Sequence, residues 1–111
     1  MNISLYFTHI FESKFKRYKK KFQSLDDDLK SFTDHLSGLE ATDLGGGIFK
    51  YRLMVKSKNK GKSGGFRIVS FEILLSENDK RVTLLTIYDK SEQSSISKKE
   101  INMILKEEGL I

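Results

Sequence analysis

From Lys50 to Arg67 the chain carries seven basic residues, Lys50, Arg52, Lys56, Lys58, Lys60, Lys62 and Arg67, and no acidic one. Lys50 and Arg52 stand two positions apart, which on a strand places both on one face. Arg67 opens the next β-like stretch and Lys90 follows the third. A sheet can therefore bring Lys50, Arg52, Arg67 and Lys90 together although none adjoins another in sequence. Cations gathered in this way suit phosphodiester binding, and they stabilise charge that grows on a phosphate in a transition state. The same alternation also describes a half-solvated sheet face, and a lysine-rich loop also serves solubility. Gly61-Lys62-Ser63 matches the end of a nucleotide-binding P-loop. The first glycine of that motif would fall at Lys56, however, and the segment precedes a strand rather than a helix, so a P-loop is rejected.

Composition removes other chemistries. The 111 residues include no cysteine, which excludes disulfides, thiolate metal sites and cysteine nucleophiles. Two histidines are too few for a three-histidine zinc site. His9 falls at a helix start and His35 on a polar helix face, both outside the β half, and neither is expected to be catalytic. No metal or other cofactor is expected. Twenty Lys and Arg against fifteen Asp and Glu give a formal charge of +5, which favours an anionic partner. No apolar run approaches the roughly eighteen residues of a membrane span, and Met1 to Phe7 has no basic segment followed by an apolar one. A soluble, cytoplasmic protein is expected.

Elements that could hold the cations in place follow from periodicity. Ile3, Leu5 and Phe7 alternate with polar neighbours, a strand pattern. Phe11, Phe15, Tyr18 and Phe22 then recur at helical spacing, with Lys14, Lys16, Arg17 and Lys19 to Lys21 mostly on the other side and Thr8 as cap. A second helix starts near Ser24, with Ser24 and Asp27 as a capping box and Asp26 to Asp28 at the positive end of its dipole. Its stripe is Leu25, Leu29, Phe32 and Leu36, and Gly38 is the expected stop. Gly45-Gly46-Gly47 closes the helical half. Residues 48–56 alternate, with Phe49, Tyr51, Leu53 and Val55 facing one way and Lys50, Arg52, Met54 and Lys56 the other. Strands over 66–75 and 81–89 follow, with Asn78-Asp79 near the hairpin tip. Ser97 and Glu100 form a capping box for a last helix over Ile101, Ile104 and Leu105, stopped by Gly109, with Lys98 and Lys99 on its exposed face. The expected order is β-α-α-β-β-β-α in a single domain, residues 1–111, of class α+β, with the helices on one side of an antiparallel sheet.

Four stretches carry a resemblance over nearly the whole chain. They are Phe49-Lys50-Tyr51-Arg52-Leu53, Lys60-Gly61-Lys62-Ser63-Gly64-Gly65-Phe66-Arg67-Ile68, Leu84-Leu85-Thr86-Ile87-Tyr88-Asp89-Lys90-Ser91-Glu92, and Ile96-Ser97-Lys98-Lys99-Glu100-Ile101. In this order they resemble the RelE/HigB toxins of bacterial type II toxin–antitoxin modules, in particular the branch with a K-G-K-S-G-G-x-R signature. The resemblance implies a RelE-like, microbial-RNase-like fold and a ribosome-dependent endoribonuclease that inhibits translation by cutting messenger RNA in the ribosomal A site. The implied reaction is attack of a ribose 2′-hydroxyl on the adjacent phosphate. The implied partners are a cognate antitoxin, the messenger and the ribosome near its 16S RNA.

The resemblance also distributes roles. Lys50 and Arg52 match the two basic positions on the family's first long strand, where one acts near the 2′-hydroxyl as base or electrostatic activator. Arg67 holds the scissile phosphate, and Lys90 stands where many relatives have arginine. Lys56, Lys58, Lys60 and Lys62 are expected to bind RNA, and the Lys14–Lys21 cluster could meet ribosomal RNA backbone. Relatives often carry a late tyrosine. Here Gln93, Ser94 and Ser95 occupy that region, so Tyr88 is the remaining aromatic that could stack on a base. Its other reading is a sheet core residue. The alternative reading of the whole chain is a non-catalytic RNA- or antitoxin-binding module on the same fold.

Overall fold

The computed structural model describes residues 1–58 and 65–111. Strand β1 (Asn2–Phe7) leads into helices α1 (His9–Lys19) and α2 (Leu25–Asp34), then a 3-10 turn (Leu36–Gly38). Strands β2 (Thr42–Gly45), β3 (Ile48–Leu53), β4 (Phe66–Leu74) and β5 (Asp79–Asp89) follow, and helix α3 (Lys98–Glu107) closes the order. The strands form one sheet in the order β1-β5-β4-β3-β2. The α+β class stands.

The sheet differs from expectation in three ways. It is mixed: β1 runs parallel to β5, and the other pairings are antiparallel. It has an additional strand, β2, paired with β3 across the Gly45-Gly46-Gly47 turn, where all three glycines have positive φ. The triplet is thus a hairpin turn, a conformation that glycine adopts without steric cost. Finally, the helices do not all lie on one side. Tyr51, Leu53, Phe66, Ile68 and Ile87 pack with Phe11, Tyr18, Leu25 and Phe32 of the helical hairpin. Their chain neighbours Val69 and Tyr88 pack instead with Ile101, Ile104 and Leu105 of α3. Successive strand residues point to opposite faces, so the hairpin and α3 sandwich the sheet.

Local signals explain most elements. Thr8 caps α1 by accepting from the Phe11 N–H at 2.9 Å, and its hydroxyl donates to the Leu85 carbonyl at 2.7 Å. Leu85 is the extra residue of a bulge, where the β4–β5 register steps from Val69–Thr86 to Ser70–Leu84. One threonine therefore starts a helix and satisfies a carbonyl at the irregularity. Ser97 caps α3 by accepting from the Glu100 N–H. Ser24 does not cap α2; its hydroxyl donates to Asp28 at 2.6 Å and accepts from the Ser57 N–H at 2.8 Å. That exchange ties α2 to the segment after β3. Phe66, fully buried, meets Tyr18 and Phe22 edge-on at 4.8 and 5.3 Å. Burying such a ring contributes about 1.5–3 kcal/mol.

Candidate phosphate-binding site

Register places the cations. Arg52 on β3 stands opposite Arg67 on β4, and Arg67 stands opposite Tyr88 on β5. Lys50, two residues before Arg52, shares its face and pairs with Thr42 of β2. Lys90 leaves the end of β5, where its backbone N–H donates to the Gly65 carbonyl at 3.1 Å. Gly65 has φ +63°, and a Cβ there would lie 2.8 Å from the Leu53 carbonyl oxygen. Only glycine lets the chain pass β3 this closely on its way to Arg67.

Lys50, Arg52, Arg67 and Lys90 line one cleft of about 140 Å³, together with Thr42, Ser94 and Tyr51. No carboxylate is among these lining residues. Arg67 is buried, and one guanidinium nitrogen donates to the Phe66 carbonyl at 3.2 Å. Burial, and then the charge of Arg52, hold its guanidinium below the usual arginine range. Like charges placed opposite each other on a sheet oppose folding. Such an arrangement in a concave site is the kind that binds an anion.

Two acids of the neighbouring strands, Glu72 and Asp89, are committed elsewhere. Glu72 accepts from Tyr51 Oη at 2.6 Å, Ser70 Oγ at 2.7 Å and Lys80 Nζ at 2.9 Å. Burial pushes its carboxyl up, but these donors outweigh burial and leave it below the ordinary range. Tyr51 lines the cleft but also packs in the core beneath the helical hairpin, and Glu72, Ser70 and Lys80 are not among the cleft's lining residues. Burial and the negative Glu72 push the Tyr51 hydroxyl upward. Asp89, opposite Phe66 in register, accepts from Lys58 Nζ and from the Ser91 N–H and hydroxyl at 2.9 and 2.8 Å. Burial again pushes its carboxyl up, and these bonds bring it below the ordinary range. Chemistry in the cleft therefore rests on cations and hydroxyls: they can hold a phosphodiester, neutralise added charge on its oxygens, and offer an ammonium proton.

Several expected RNA contacts change. Lys58 is paired with Asp89, and its side chain is only 10% exposed. Its charge is paired inside the fold. Tyr88 is 1% exposed and packs with α3, so its ring is a core element and no stacking platform. Its hydroxyl is buried with no hydrogen-bond partner among the described residues, and burial pushes it upward. Lys56 is exposed, but it lines a neighbouring groove rather than the cleft. Lys60 and Lys62 lie outside the described residues. Sequence reasoning overlooked Thr42, because four residues ending in glycine make a weak strand signal. Reading the glycine triplet as a hairpin turn would have paired Thr42 with Lys50. Ser94 lines the cleft from the very region where an aromatic had been expected.

Among the described residues, no helix is long and apolar enough to cross a membrane. No curated protein matches the chain. The family model described as the RelE toxin of the RelE/RelB toxin–antitoxin system matches residues 8–108.

Proposed function

The chain belongs to the RelE toxin family, and from that premise we propose that it is a ribosome-dependent endoribonuclease acting on messenger RNA and restrained by a cognate antitoxin. The observation that carries this reading is the cleft lined by Lys50, Arg52, Arg67 and Lys90 with no carboxylate among its lining residues. In the proposed reaction the ribose 2′-oxygen forms a bond to the adjacent phosphorus while the bond from phosphorus to the 5′-oxygen breaks. The products are a 2′,3′-cyclic phosphate and a 5′-hydroxyl end. Arg67 grips the non-bridging oxygens, since a guanidinium offers paired donors in one plane. Lys50 and Arg52 sit beside the 2′-hydroxyl, where one receives its proton or lowers the cost of removing it. Lys90 faces the departing 5′-oxygen and supplies charge or a proton. A site built this sparsely depends on substrate alignment, which the ribosome supplies by holding the messenger for in-line attack.

The test is mapping of 5′ ends on a defined messenger in translating ribosomes, with native protein and with Arg67→Ala. New ends in the A-site codon that disappear with the variant support the reading. A folded protein that yields no new ends at high concentration on several messengers overturns it. That result favours the non-catalytic binding module, to which the lack of an aromatic residue after Tyr88 also points.

A further inference from the structure

Beside the cleft, a second groove of about 370 Å³ runs between α2 and β3. Its walls are apolar where Phe32 and Leu39 face Leu53 and Met54, and Met54 is 83% exposed. Cations stand with them: Arg52 and Lys56 line the same groove. Asp28, the acidic lining residue, is buried, with one carboxylate oxygen accepting from Ser24 Oγ at 2.6 Å and from the Lys56 N–H at 3.2 Å. Arg52 lines both this groove and the phosphate cleft, so the two concavities meet at one residue of β3.

A nucleotide has the matching division, a flat apolar base on one side and an anionic phosphate on the other. We propose that the groove between α2 and β3 seats the base of a nucleotide flanking the scissile phosphate, with Met54 and Leu39 against its face and Arg52 under the connecting phosphate. This assignment rests on the reading of the cleft as a phosphodiester site. Methionine suits the role because its polarisable sulfur and flexible chain pack on aromatic surfaces of varied shape. The arrangement also gives the protein a base platform in place of the buried Tyr88. His35 adds a polar edge to the same groove. Its Nδ1 lies 2.8 Å from the Ser31 carbonyl, which can only accept, so Nδ1 carries a proton.

The probes are a 2′-O-methyl tetranucleotide, which has no 2′-hydroxyl to attack, and analogues made abasic at each position in turn. Affinities are measured by fluorescence anisotropy at low salt for native protein and for Leu39→Ser/Met54→Ser. Both substituted residues are exposed, and circular dichroism verifies the fold. Native protein should bind the full probe about tenfold more tightly than the analogue abasic at one flanking position, and in the variant that ratio should fall below about twofold. An unchanged ratio in the variant overturns the groove assignment and leaves the cleft reading intact. If the variant then also loses affinity for the antitoxin, the groove belongs to that protein. Equal binding of full and abasic probes by native protein overturns it in the same way. Failure of native protein to bind any probe overturns the cleft reading itself, and the groove assignment with it.

Discussion

Lys58 and Asp89 form an ion pair whose side chains are 10% and 6% exposed, joining the segment after β3 to the end of β5, one residue before Lys90. The Asp89 carboxylate also holds the turn through Ser91, and the Asp89 carbonyl accepts from the Glu92 and Gln93 N–H groups. That turn carries Lys90 and Ser94 into the cleft. Asp89→Ala leaves Lys58 buried and unpaired, and the expected cost is about 3–5 kcal/mol. Urea unfolding measures it; a loss below about 1 kcal/mol would show that Lys58 escapes to solvent.

Glu72 and Asp89 both have folded carboxyls held below their ordinary values. In the unfolded chain they take up protons at higher pH than in the native state. Their contribution is therefore complete above the unfolded value of about 4 and is lost as pH falls through the folded values. Stability measured by urea titration should fall steadily between about pH 5 and pH 2. Glu72→Gln should flatten that fall; an unchanged slope would contradict the assigned shift of Glu72.

Arg67→Ala should reduce RNA cleavage by about 10²–10³-fold, the usual effect of removing one donor from a developing anion. Arg67→Lys should recover only part of this, because an ammonium lacks the planar fork. Lys90→Arg should stay close to native rate if the position supplies charge, and should fall sharply if it supplies the proton. Single-turnover cleavage on programmed ribosomes separates these outcomes.

Tyr88→Phe should leave cleavage within about twofold of native and stability unchanged or slightly raised, since the hydroxyl it deletes is buried and has no partner among the described residues. A large loss of cleavage with an intact fold would restore Tyr88 to the active machinery.

Gly65→Ala should destabilise the fold by about 1–3 kcal/mol, the range for a side chain forced into the left-handed region. The new Cβ also meets the Leu53 carbonyl oxygen at 2.8 Å. Because the Gly65 carbonyl accepts from the Lys90 N–H, cleavage should fall further than the loss of folded protein explains. Thermal unfolding and specific activity per folded molecule check the two parts.

Local chemistry was readable from the chain alone. The helical stripe of Phe11 and Tyr18, the caps Thr8 and Ser97, the stop at Gly109 and the alternation around Lys50 and Arg52 all rest on contacts within a few residues, which periodicity encodes directly. Lys50 and Arg52 could be named for the same reason, since spacing of two puts them on one face; Arg67 lies on another strand and Lys90 follows a third, and their roles came through the resemblance. What only the tertiary structure decided depends on pairings between distant residues. The parallel docking of β1 on β5, the recruitment of β2 through three glycines, and the placing of α3 on the face opposite the hairpin are choices of register and packing that no local pattern specifies. The same holds for charge. Lys58 and Lys56 look alike in a lysine-rich run, yet one meets a buried carboxylate that arrives from thirty-one residues away and the other does not. Tyr88 likewise became a core residue because α3 closes over its strand, burying a ring that the sequence would equally have allowed to face a base.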